Sequence, residues 1–485
     1  MFHILVADDD KHTRMLLRAV LESENYTVST AENGEQALEL LDREHIDLVI
    51  LDVMMPEMDG YEFTRIVRQT DSTLPHITVP DTRRAMFELS SAWFGHPERK
   101  MKFVGVTGTN GKTSTVYYIK NILDNLGKKT GLIGTVANMI GGKTLPSGAT
   151  TPEPYELCSL LSQMVSAGVE YCVMEVSSHS IVQKRVCGIT FDTAVFTNLT
   201  QDHLDYHKTM ENYRMAKYKL FESAGSAVIN IDDETGRQFA GSVTCRKFTY
   251  SAVYNSADFV AKDIKQKPSG VSFLAVTRGG IGRVSVSSVG AFTVSNALAA
   301  IGAVCALGLD FGEVLPAAMS LVSVPGRAQI ISGSRPYTVM IDYAHTPDGL
   351  KNILSAAREM ADGRVITLFG CGGDRDRTKR PVMGQTAARL SDYVIVTSDN
   401  PRSETPIDII NEILPGVKKC RTPFTVIENR REAIRYALNI AKKDDVVVLA
   451  GKGHENYQEI NGIKHPFDEK IIVAEILEDM RCGRK

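Results

Sequence analysis

The chain has 485 residues, of which 43% are hydrophobic and 23% are charged, and its formal net charge at pH 7 is −3. This length predicts roughly three domains, each with its own core. Because opposite charges nearly balance and no polybasic run occurs, neither nucleic acid nor an anionic membrane is expected as a partner. The eight cysteines lack a zinc-binding spacing, and no export signal or membrane-length apolar run is visible, so we expect a cytoplasmic protein.

The first 69 residues predict three β-α units. Strands are expected near residues 3–8, 26–31 and 47–52, each followed by a segment with helical periodicity. Acidic residues stand at two strand ends, Asp8 and Asp9 after the first strand and Asp52 at the end of the third. The alternating pattern then gives way to a mixed stretch with the only tryptophan, Trp93, and a domain boundary is predicted there.

Residues 105–115, GVTGTNGKTST, form a glycine-rich loop between a predicted strand and a predicted helix. Such a turn leaves backbone N–H groups free to surround an anion, and the helix N-terminus adds partial positive charge. Lys112 supplies a further charge, and Thr113 a hydroxyl suited to Mg²⁺. The glycine spacing is a variant of the usual phosphate-binding loop, and nucleotide binding is favoured over a chance glycine turn.

Three further polar clusters follow strands in the middle of the chain. Glu175 stands just past a strand, in the stretch EYCVMEV, Asp202 and His203 follow the next strand, and Lys217 lies on the helix after it. Because carboxyl ends of parallel strands meet at one sheet edge, these groups are expected near the phosphate loop. Taken singly, each has a plainer interpretation: a helix cap for Glu175, an ordinary loop residue for His203, and a surface helix residue for an unmodified Lys217.

A third region of alternating strands and helices begins after the stretch SVPGRAQ. Its predicted strands are YTVMIDYA, GRVITLFG, DYVIVTSDN and DDVVVLAGKG. The apolar run at 297–309 is expected to be a buried helix because it is too short to span a membrane.

Nine ordered motifs resemble those of the Mur ligase family. They are GTNGKT at 108–113, EVSSH at 175–179, DHLDYH at 202–207, AK at 216–217, NALAA at 296–300, DYAHTP at 342–347, GGDRD at 372–376, DNPR at 399–402 and GKGHE at 451–455. The resemblance runs from about Val79 to the C-terminus. It implies an α/β fold with a P-loop parallel-sheet central domain and a Rossmann-like C-terminal domain. It also implies an ATP-dependent acid–amino-acid ligase of peptidoglycan precursor synthesis, in which an acyl phosphate is captured by an amine.

The resemblance also implies roles for individual residues. The nucleotide contacts are Gly108, Thr109, Asn110, Gly111, Lys112, Thr113, Ser114, Asn296, Arg327, Asp342 and His345. The catalytic residues are Lys112, Glu175, His203 and Lys217. The Mg²⁺ ligands are Thr113 and Glu175 for one ion and Glu175 and His203 for a second, and Lys217 is a further ligand as a carbamate formed with CO₂. A carbamate suits Mg²⁺ because its oxygen is anionic, whereas an ammonium would repel the ion. Since these groups come from two domains, closure around ATP is expected.

The acid substrate implied by the resemblance is UDP-N-acetylmuramoyl-L-Ala-D-Glu. The matching positions are Thr150, Thr151, Ser177, Gln183 and Arg185, whose hydroxyl, amide and guanidinium groups suit carboxylate and phosphate. Without the family, the Thr-Thr-Pro sequence at 150–152 would be only a turn signal.

The amine implied by the resemblance is meso-diaminopimelate. The matching positions are Arg375, Asp399, Asn400, Pro401, Arg402, Gly451 and Glu455. Arg402 can form a paired contact with the distal carboxylate, which lysine lacks. The alternatives are an arginine in an ordinary surface turn, and a related ligase that adds L-lysine or belongs to the folate type.

The first 69 residues resemble the receiver domain of bacterial response regulators, on the motifs ILVADDD and LDVMMPEMDG. This implies a partial flavodoxin-like segment in which Asp8, Asp9 and Asp52 bind Mg²⁺ and Asp52 accepts a phosphoryl group. A histidine kinase or another phosphodonor would then be a partner, and the alternative function is a phosphorylation-responsive receiver-ligase fusion. A whole receiver has five β-α units, and its later hydroxyl and lysine residues have no evident counterparts here.

The predicted divisions are a truncated receiver-like segment at 1–70, a linker with a remnant of the ligase N-terminal domain at 71–98, the central ATP-binding domain at 99–326 and the C-terminal domain at 327–485. The ligase domain that grips uridine and pyrophosphate is thus expected only as its tail. Either the receiver segment packs in its place, or the chain is a fusion or assembly artefact with weakened affinity for the UDP substrate. The second is favoured because a three-stranded sheet leaves an unpaired edge.

Overall fold

The structure, a computed structural model, describes residues 2–70, 79, 81–267, 269–331 and 336–482. Residue contacts divide the chain into two units, Met1–Met86 and Phe87–Lys485. This division lies inside the stretch 71–98 that the sequence predicts as a linker, while the other predicted boundaries remain predictions.

The first unit is built on a three-stranded parallel sheet of order β2-β1-β3. Its strands are β1 (His3–Ala7), β2 (Thr27–Ala31) and β3 (Leu48–Leu51), and its helices are α1 (Lys11–Ser23), α2 (Gly34–Arg43) and α3 (Gly60–Thr70). The central strand is apolar on both faces: Leu5 and Ala7 join one core cluster, and Ile4 and Val6 join the other. The three predicted strands are confirmed.

Helix α4 (Thr82–Trp93) and a 3₁₀ turn at Pro97–Arg99 precede the large sheet of the second unit. Phe87 on α4 is buried, and a Cβ atom added at Gly188 would lie 2.1 Å from its ring. The absence of a side chain at Gly188 therefore lets α4 pack closely at this point.

The front lobe, residues 87–326, carries a twelve-stranded sheet. Its strands are β4 (Lys102–Thr107), β5 (Thr130–Ile133), β6 (Asn138–Ile140), β7 (Lys143–Leu145), β8 (Tyr171–Glu175), β9 (Phe191–Phe196), β10 (Ala224–Asn230), β11 (Arg246–Ser251), β12 (Phe259–Lys267), β13 (Gly270–Thr277), β14 (Gly280–Val286) and β15 (Ser320–Leu321). Their order is β15-β14-β13-β12-β11-β10-β9-β4-β8-β5-β6-β7.

The sheet is only partly the parallel one that the sequence predicts. The run β5-β8-β4-β9-β10-β11-β12 is parallel, as expected from its long apolar segments. Antiparallel strands extend it on both sides, β6 and β7 at one edge and β13 and β14 towards the other. These strands were not predicted, because several of them are short and partly exposed and lack a continuous apolar run.

The helices of the front lobe flank this sheet. They are α5 (Lys112–Asn125), α6 (Pro154–Ser166), α7 (Ser178–Val182), α8 (Leu204–His207), α9 (Met210–Tyr218) with a 3₁₀ turn at Lys219–Ser223, α10 (Glu234–Ser242), α11 (Ala291–Ala306) and α12 (Phe311–Ala318). The apolar run at 297–309 begins inside α11, which is buried as predicted and packs against α5. Within the described part of the chain, no helix combines the length and the hydrophobicity that a membrane crossing requires.

The rear lobe, residues 327–482, carries a six-stranded sheet of order β16-β17-β21-β18-β19-β20 and a separate hairpin. The strands are β16 (Gln329–Ile331), β17 (Thr338–Asp342), β18 (Val365–Phe369), β19 (Tyr393–Val396), β20 (Phe424–Val426), β21 (Val446–Ala450), β22 (Tyr457–Ile460) and β23 (Ile463–Pro466). The helices are α13 (Pro347–Met360), α14 (Lys379–Leu390), α15 (Pro406–Val417), α16 (Arg430–Ile440) and α17 (Glu469–Arg481). The four predicted strands are confirmed as β17, β18, β19 and β21. Core clusters cover both faces of this sheet.

Candidate active site

A cleft of about 360 Å³ lies between the front and rear lobes. It lies where parallel strands of both sheets end, which is the usual ligand position in α/β folds. The predicted site residues that line it are Thr109, Asn110, Gly111, Lys112, Thr113, Ser114, Thr150, Glu175, Ser177, His203, Asn296, Arg327, Asp342, His345, Arg375, Asp399, Asn400, Arg402, Gly451 and Glu455. Gly108, Thr151, Gln183, Arg185, Lys217 and Pro401 do not belong to the lining.

The glycine-rich loop connects β4 to α5, and two of its glycines adopt positive φ angles. Gly108 has φ 148° and Gly111 has φ 86°. A Cβ atom at Gly108 would lie 1.8 Å from Thr197 Oγ1, and one at Gly111 would lie 2.4 Å from Asn296 Oδ1. Both positions therefore require glycine, which explains why these two glycines define the variant spacing of the loop.

Two lysines converge on this loop, Lys112 half-buried and Lys217 buried. The Lys112 ammonium donates to the carbonyls of Gly108 and Thr109, both at 2.9 Å, and Lys217 donates to the same Gly108 oxygen at 2.8 Å. Lys217 is only 1% exposed and its Nζ lies 4.4 Å from the centroid of the Tyr213 ring. The plainer interpretation of Lys217 as a surface residue is therefore wrong. Burial lowers the pKa of Lys217 well below its ordinary value, and repulsion from Lys112 acts in the same direction.

Glu175 ends β8 and lies beside the start of α5. Its Oε2 accepts from the Thr113 hydroxyl at 3.0 Å and from the Thr135 hydroxyl at 3.1 Å, and its Oε1 accepts from the Thr135 amide at 2.8 Å. The next helix, α7, is capped by Ser177, whose side chain accepts from Ser180 N. The interpretation of Glu175 as a helix cap is therefore wrong, and its carboxylate instead shares a polar group with Thr113.

Asp202 is a buried carboxylate close to a lysine and two histidines from both lobes. Its oxygens lie 3.4 Å from His203 Nε2, 3.6 Å from Lys379 Nζ and 3.9 Å from His345 Nε2. Burial alone would raise the pKa of Asp202, but Lys379, His203 and His345 hold it below its ordinary value. Burial lowers the pKa of His203. His203 is thus not an ordinary loop residue, and Asp202 links the front lobe to the rear lobe.

Two hydrogen bonds join the lobes directly at the phosphate loop. Arg327 of the rear lobe donates through Nη2 to the Thr113 hydroxyl at 2.9 Å, and Asn110 donates to Asp348 at 2.8 Å. The Arg327 guanidinium also lies 4.5 Å from the centroid of the Tyr343 ring. The two lobes therefore meet at the loop that would hold phosphates.

The residues predicted to hold the acid substrate form a connected group beside Glu175. Thr151 donates through its hydroxyl to the Glu175 carbonyl at 2.9 Å and accepts from the Ser177 amide at 3.1 Å. Arg185 donates to the Thr151 carbonyl at 2.9 Å and to the Gln183 amide oxygen at 2.6 Å. Thr151 is therefore more than a turn signal, because it connects this group to the end of β8.

The residues predicted to hold the amine belong to the rear lobe, and all of them except Pro401 line the cleft. Arg402 has φ 51°, donates to the Gly373 carbonyl at 2.6 Å and lies 3.3 Å from Glu459. Its side chain is 22% exposed and lines the cleft, and its contact with the amine stays a prediction. Asn400 donates to Glu455 at 2.8 Å, while Arg375 is exposed and donates to the neighbouring Asp374 carbonyl at 2.9 Å.

Several polar residues of this region were not predicted. They are Thr135, Asn198, Asp348 and Lys379 near the phosphate loop, and Arg430 and Lys452 behind the amine side. Lys452 stands inside the GKGHE motif, which was its only signal in the sequence. The others have no local signal, because their contacts are made with residues far away in the chain.

In the first unit, Asp8, Asp9 and Asp52 are brought together as predicted. Each offers a carboxylate oxygen, and these oxygens lie within 4.8 Å of one another. Burial raises the pKa of Asp8 to about 6. In the described residues, Glu175 and His203 belong to no group of three or more acidic, histidine or cysteine side chains as close as this one.

Family models match three parts of the chain. The Mur ligase middle domain matches residues 106–304, and the Mur ligase glutamate ligase domain matches residues 326–453. The response regulator receiver domain matches residues 4–88, which extends past the predicted end of the receiver-like segment at residue 70.

Curated relatives match most of the chain. A UDP-N-acetylmuramoyl-L-alanyl-D-glutamate--2,6-diaminopimelate ligase of Caldanaerobacter subterraneus subsp. tengcongensis is 49% identical over 404 residues, which cover 83% of each chain. The protein of the same name from Clostridium perfringens is 46% identical over 443 residues, covering 87% of this chain and 90% of its own. A solved structure of a ligase of that name is 34% identical with a TM-score of 0.58, covering 84% of each chain. With these matches, the chain belongs to the Mur ligase family.

Proposed function

We propose that the chain joins meso-diaminopimelate to UDP-N-acetylmuramoyl-L-Ala-D-Glu in an ATP-dependent ligation of peptidoglycan precursor synthesis. The observation that carries this proposal is the single cleft that the phosphate loop, Glu175 and the Asn400–Glu455 pair line together. The names of relatives at 46% and 49% identity support the choice of substrates. We place the reaction in the cytoplasm, where ATP is available.

The reaction that suits this cleft has two steps. In the first, the substrate carboxylate attacks the γ-phosphorus of ATP, the bond to the bridging oxygen breaks and ADP leaves. In the second, the amine attacks the acyl carbon and loses a proton to the surroundings. The bond between the acyl carbon and the phosphate oxygen then breaks, and phosphate leaves with its electrons. Lys112 and Arg327 lie where they would neutralise charge that moves between the phosphates.

The oxygen donors beside the phosphate loop fit Mg²⁺. The Thr113 hydroxyl and a Glu175 carboxylate oxygen lie 3.0 Å apart, and both are hard oxygen ligands of the kind Mg²⁺ prefers. We infer that Thr113 and Glu175 would hold one Mg²⁺ ion and that Glu175 and His203 would help to hold a second, with a carbamylated Lys217 as a further ligand. When bound, Mg²⁺ supplies positive charge against the phosphate oxygens.

The carbamate at Lys217 is proposed from the surroundings of its amine. Because Lys217 is fully buried and its pKa is lowered, its amine is more easily neutral, and the neutral amine is the form that can attack CO₂. The adjacent Lys112 repels an ammonium at this position but would attract the anionic carbamate.

The proposed function is tested by phosphate release with ATP and the UDP-dipeptide, comparing meso-diaminopimelate with L-lysine. We expect release to depend on the UDP-dipeptide and to be much faster with meso-diaminopimelate. Faster release with L-lysine, or release that depends on a folate instead, would favour the related ligases. The KM for the UDP-dipeptide should fall when a full ligase N-terminal domain replaces the first unit, because that domain would grip uridine.

Specificity for the amine is expected to depend on Arg402. Replacing Arg402 with alanine should raise the KM for meso-diaminopimelate by roughly 10²-fold or more and leave the KM for ATP unchanged. The reason is that the substitution leaves the distal carboxylate of the amine without a guanidinium partner. The measurement is the KM of each substrate in steady-state kinetics. Arg431→Ala is the matched control, because Arg431 pairs with Glu475 at 2.6 Å and is 45% exposed. Unchanged kinetics of Arg402→Ala would refute the assignment.

A second candidate function rests on the three carboxylates of the first unit. They would hold Mg²⁺ next to Asp52 and let it accept a phosphoryl group from a kinase or small phosphodonor. This is the phosphorylation-responsive alternative, in which the label changes the ligase rate.

Labelling with acetyl phosphate and Mg²⁺ examines this alternative. We expect one labelled site, lost in Asp52→Asn and kept in Asp59→Asn, since Asp59 lies on the same loop and its carboxylate accepts from Glu62 N at 2.8 Å. We also expect an unchanged ligase rate, because the coupling hydroxyl and lysine of a whole receiver have no evident counterparts. A changed rate would establish the alternative function, and an unlabelled protein would exclude it.

A further inference from the structure

Lys452 is a fully buried lysine that does not line the cleft but contacts three side chains that do. Its Nζ donates to Asn400 Oδ1 at 2.9 Å, donates to Glu455 Oε2 at 3.3 Å and lies 3.5 Å from Asp399 Oδ1. Its side chain is 0% exposed. All three partners belong to the cleft lining, so Lys452 lies directly behind the wall that they form.

These contacts fix the orientation of the Asn400 amide. An ammonium can only donate, so it selects the Asn400 oxygen rather than the nitrogen. The same oxygen accepts from Glu459 N at 3.0 Å, and the Asn400 nitrogen then donates to Glu455 at 2.8 Å. A rotated amide would lose both donors to its oxygen, so Lys452 leaves one orientation for this side chain.

Lys452 also compensates two carboxylates that face each other. Burial and the charge of Asp399 raise the pKa of Glu455, whereas Lys452 opposes that shift. For Asp399, the charges of Lys452 and Arg430 hold the pKa below its ordinary value despite burial. Without Lys452, the carboxylates of Asp399 and Glu455 would remain buried near each other with less positive charge to stabilise their ionised forms.

The backbone around this wall is held by a second buried cation. Arg430 donates to the Ser398 carbonyl at 3.3 Å, the Ala450 carbonyl at 2.8 Å and Glu469 at 2.8 Å. These carbonyls stand at the ends of β19 and β21, next to Asp399 and the following glycine of the wall. Arg430 thus holds the backbone at Ser398 and Ala450, whereas Lys452 orients the side chain of Asn400.

We propose that Lys452 is a positioning residue for the distal amino-acid head of the incoming amine. It orients Asn400 and holds Asp399 and Glu455 as acceptors for an ammonium, while Arg402 offers donors to a carboxylate. The wall therefore suits a zwitterionic head that carries both groups, and lysine has only one of them. This inference rests on the proposed function, because it names how that cleft selects its amine.

The test compares Lys452→Met with the unaltered chain, using two amines. meso-Diaminopimelate requires the wall, whereas hydroxylamine can capture the acyl phosphate without a distal head. We expect Lys452→Met to raise the KM for meso-diaminopimelate by roughly 10- to 100-fold, with kcat and the KM for ATP changed much less. ATP-dependent hydroxamate formation should remain. An unchanged KM for meso-diaminopimelate would overturn the inference.

Arg364→Met serves as a control for the loss of a cation that pairs with a buried carboxylate. Arg364 lies 2.7 Å from the buried Asp445, at the amino ends of the strands and away from the cleft. We expect Arg364→Met to lower stability without changing the KM for meso-diaminopimelate. A KM that rises equally in both variants would mean that Lys452 acts only through general stability.

A double-variant cycle keeps the inference testable if Lys452→Met folds poorly. Lys452→Met combined with Glu455→Gln buries fewer uncompensated charges than Lys452→Met alone. If Lys452 acts through Glu455, the double variant should raise the KM for meso-diaminopimelate little more than Glu455→Gln does. Fully additive effects would overturn the inference. If the unaltered chain forms hydroxamate but does not use meso-diaminopimelate, the proposed function fails instead.

Discussion

Replacing Lys112 with methionine is expected to lower kcat for the ligation by roughly 10³-fold, since preorganised charge on the transferring phosphoryl group is the main catalytic contribution in such a site. The Lys112 ammonium donates only to the carbonyls of Gly108 and Thr109, so its charge is free to act on a phosphate held by the loop. Methionine keeps the length of the side chain and removes the charge. The measurement is the initial rate of phosphate release at saturating substrates.

Lys120→Met is the matched control for this prediction. Lys120 lies on the same helix and pairs with Asp124 at 2.6 Å on an exposed part of its surface. We expect the control to retain its rate. A Lys112→Met variant with more than a tenth of the normal kcat would show that the loop does not hold the transferring phosphoryl group.

The second large effect is expected at Lys217. Lys217→Met should lower kcat by roughly 10²-fold or more, because it removes the group proposed to become an anionic ligand of Mg²⁺. Lys217→Arg should not restore the rate, since a guanidinium stays charged and forms no carbamate. The measurement combines initial rates with ¹³C NMR of protein equilibrated with ¹³C-bicarbonate, in which one carbamate signal is expected.

Lys219 offers the control because it is exposed two residues further along the same segment. Lys219→Met should keep both the rate and the carbamate signal, whereas Lys217→Met should lose both. If Lys217→Arg is fully active, or if the unaltered chain gives no carbamate signal, the lysine acts only through its hydrogen bond to Gly108.

Much of the parallel α/β framework could be predicted, because buried parallel strands are long apolar runs that end in polar residues. The strands before Gly108, at Glu175 and in the rear lobe were found in this way. The antiparallel extension at β13 and β14 was missed, since its register depends on pairing with strands that have no distinct local signal. Likewise, the boundary between the two units could be predicted only to within a segment.

The candidate site was predicted where motif residues face the cleft, and missed where residues act from behind it. Thr113 and Glu175 are 62 residues apart in the chain, but each belongs to a motif at the end of a predicted strand, so their proximity could be predicted. Lys379 and Arg430 carry no such signal, because only the fold brings Lys379 to Asp202 and Arg430 to the ends of two strands. Lys217 was predicted as a ligand, but its complete burial became evident only in the structure.

In the proposed reaction, one cleft converts the acid substrate into an acyl phosphate that the amine then captures. The most direct measurement supplies the UDP-dipeptide with both oxygens of the reacting carboxylate labelled as ¹⁸O, together with ATP and meso-diaminopimelate. Because the acyl phosphate forms on a carboxylate oxygen, the released phosphate should carry one ¹⁸O atom, with ADP as the other product. Unlabelled phosphate, or AMP in place of ADP, would exclude an acyl phosphate formed from ATP in this cleft.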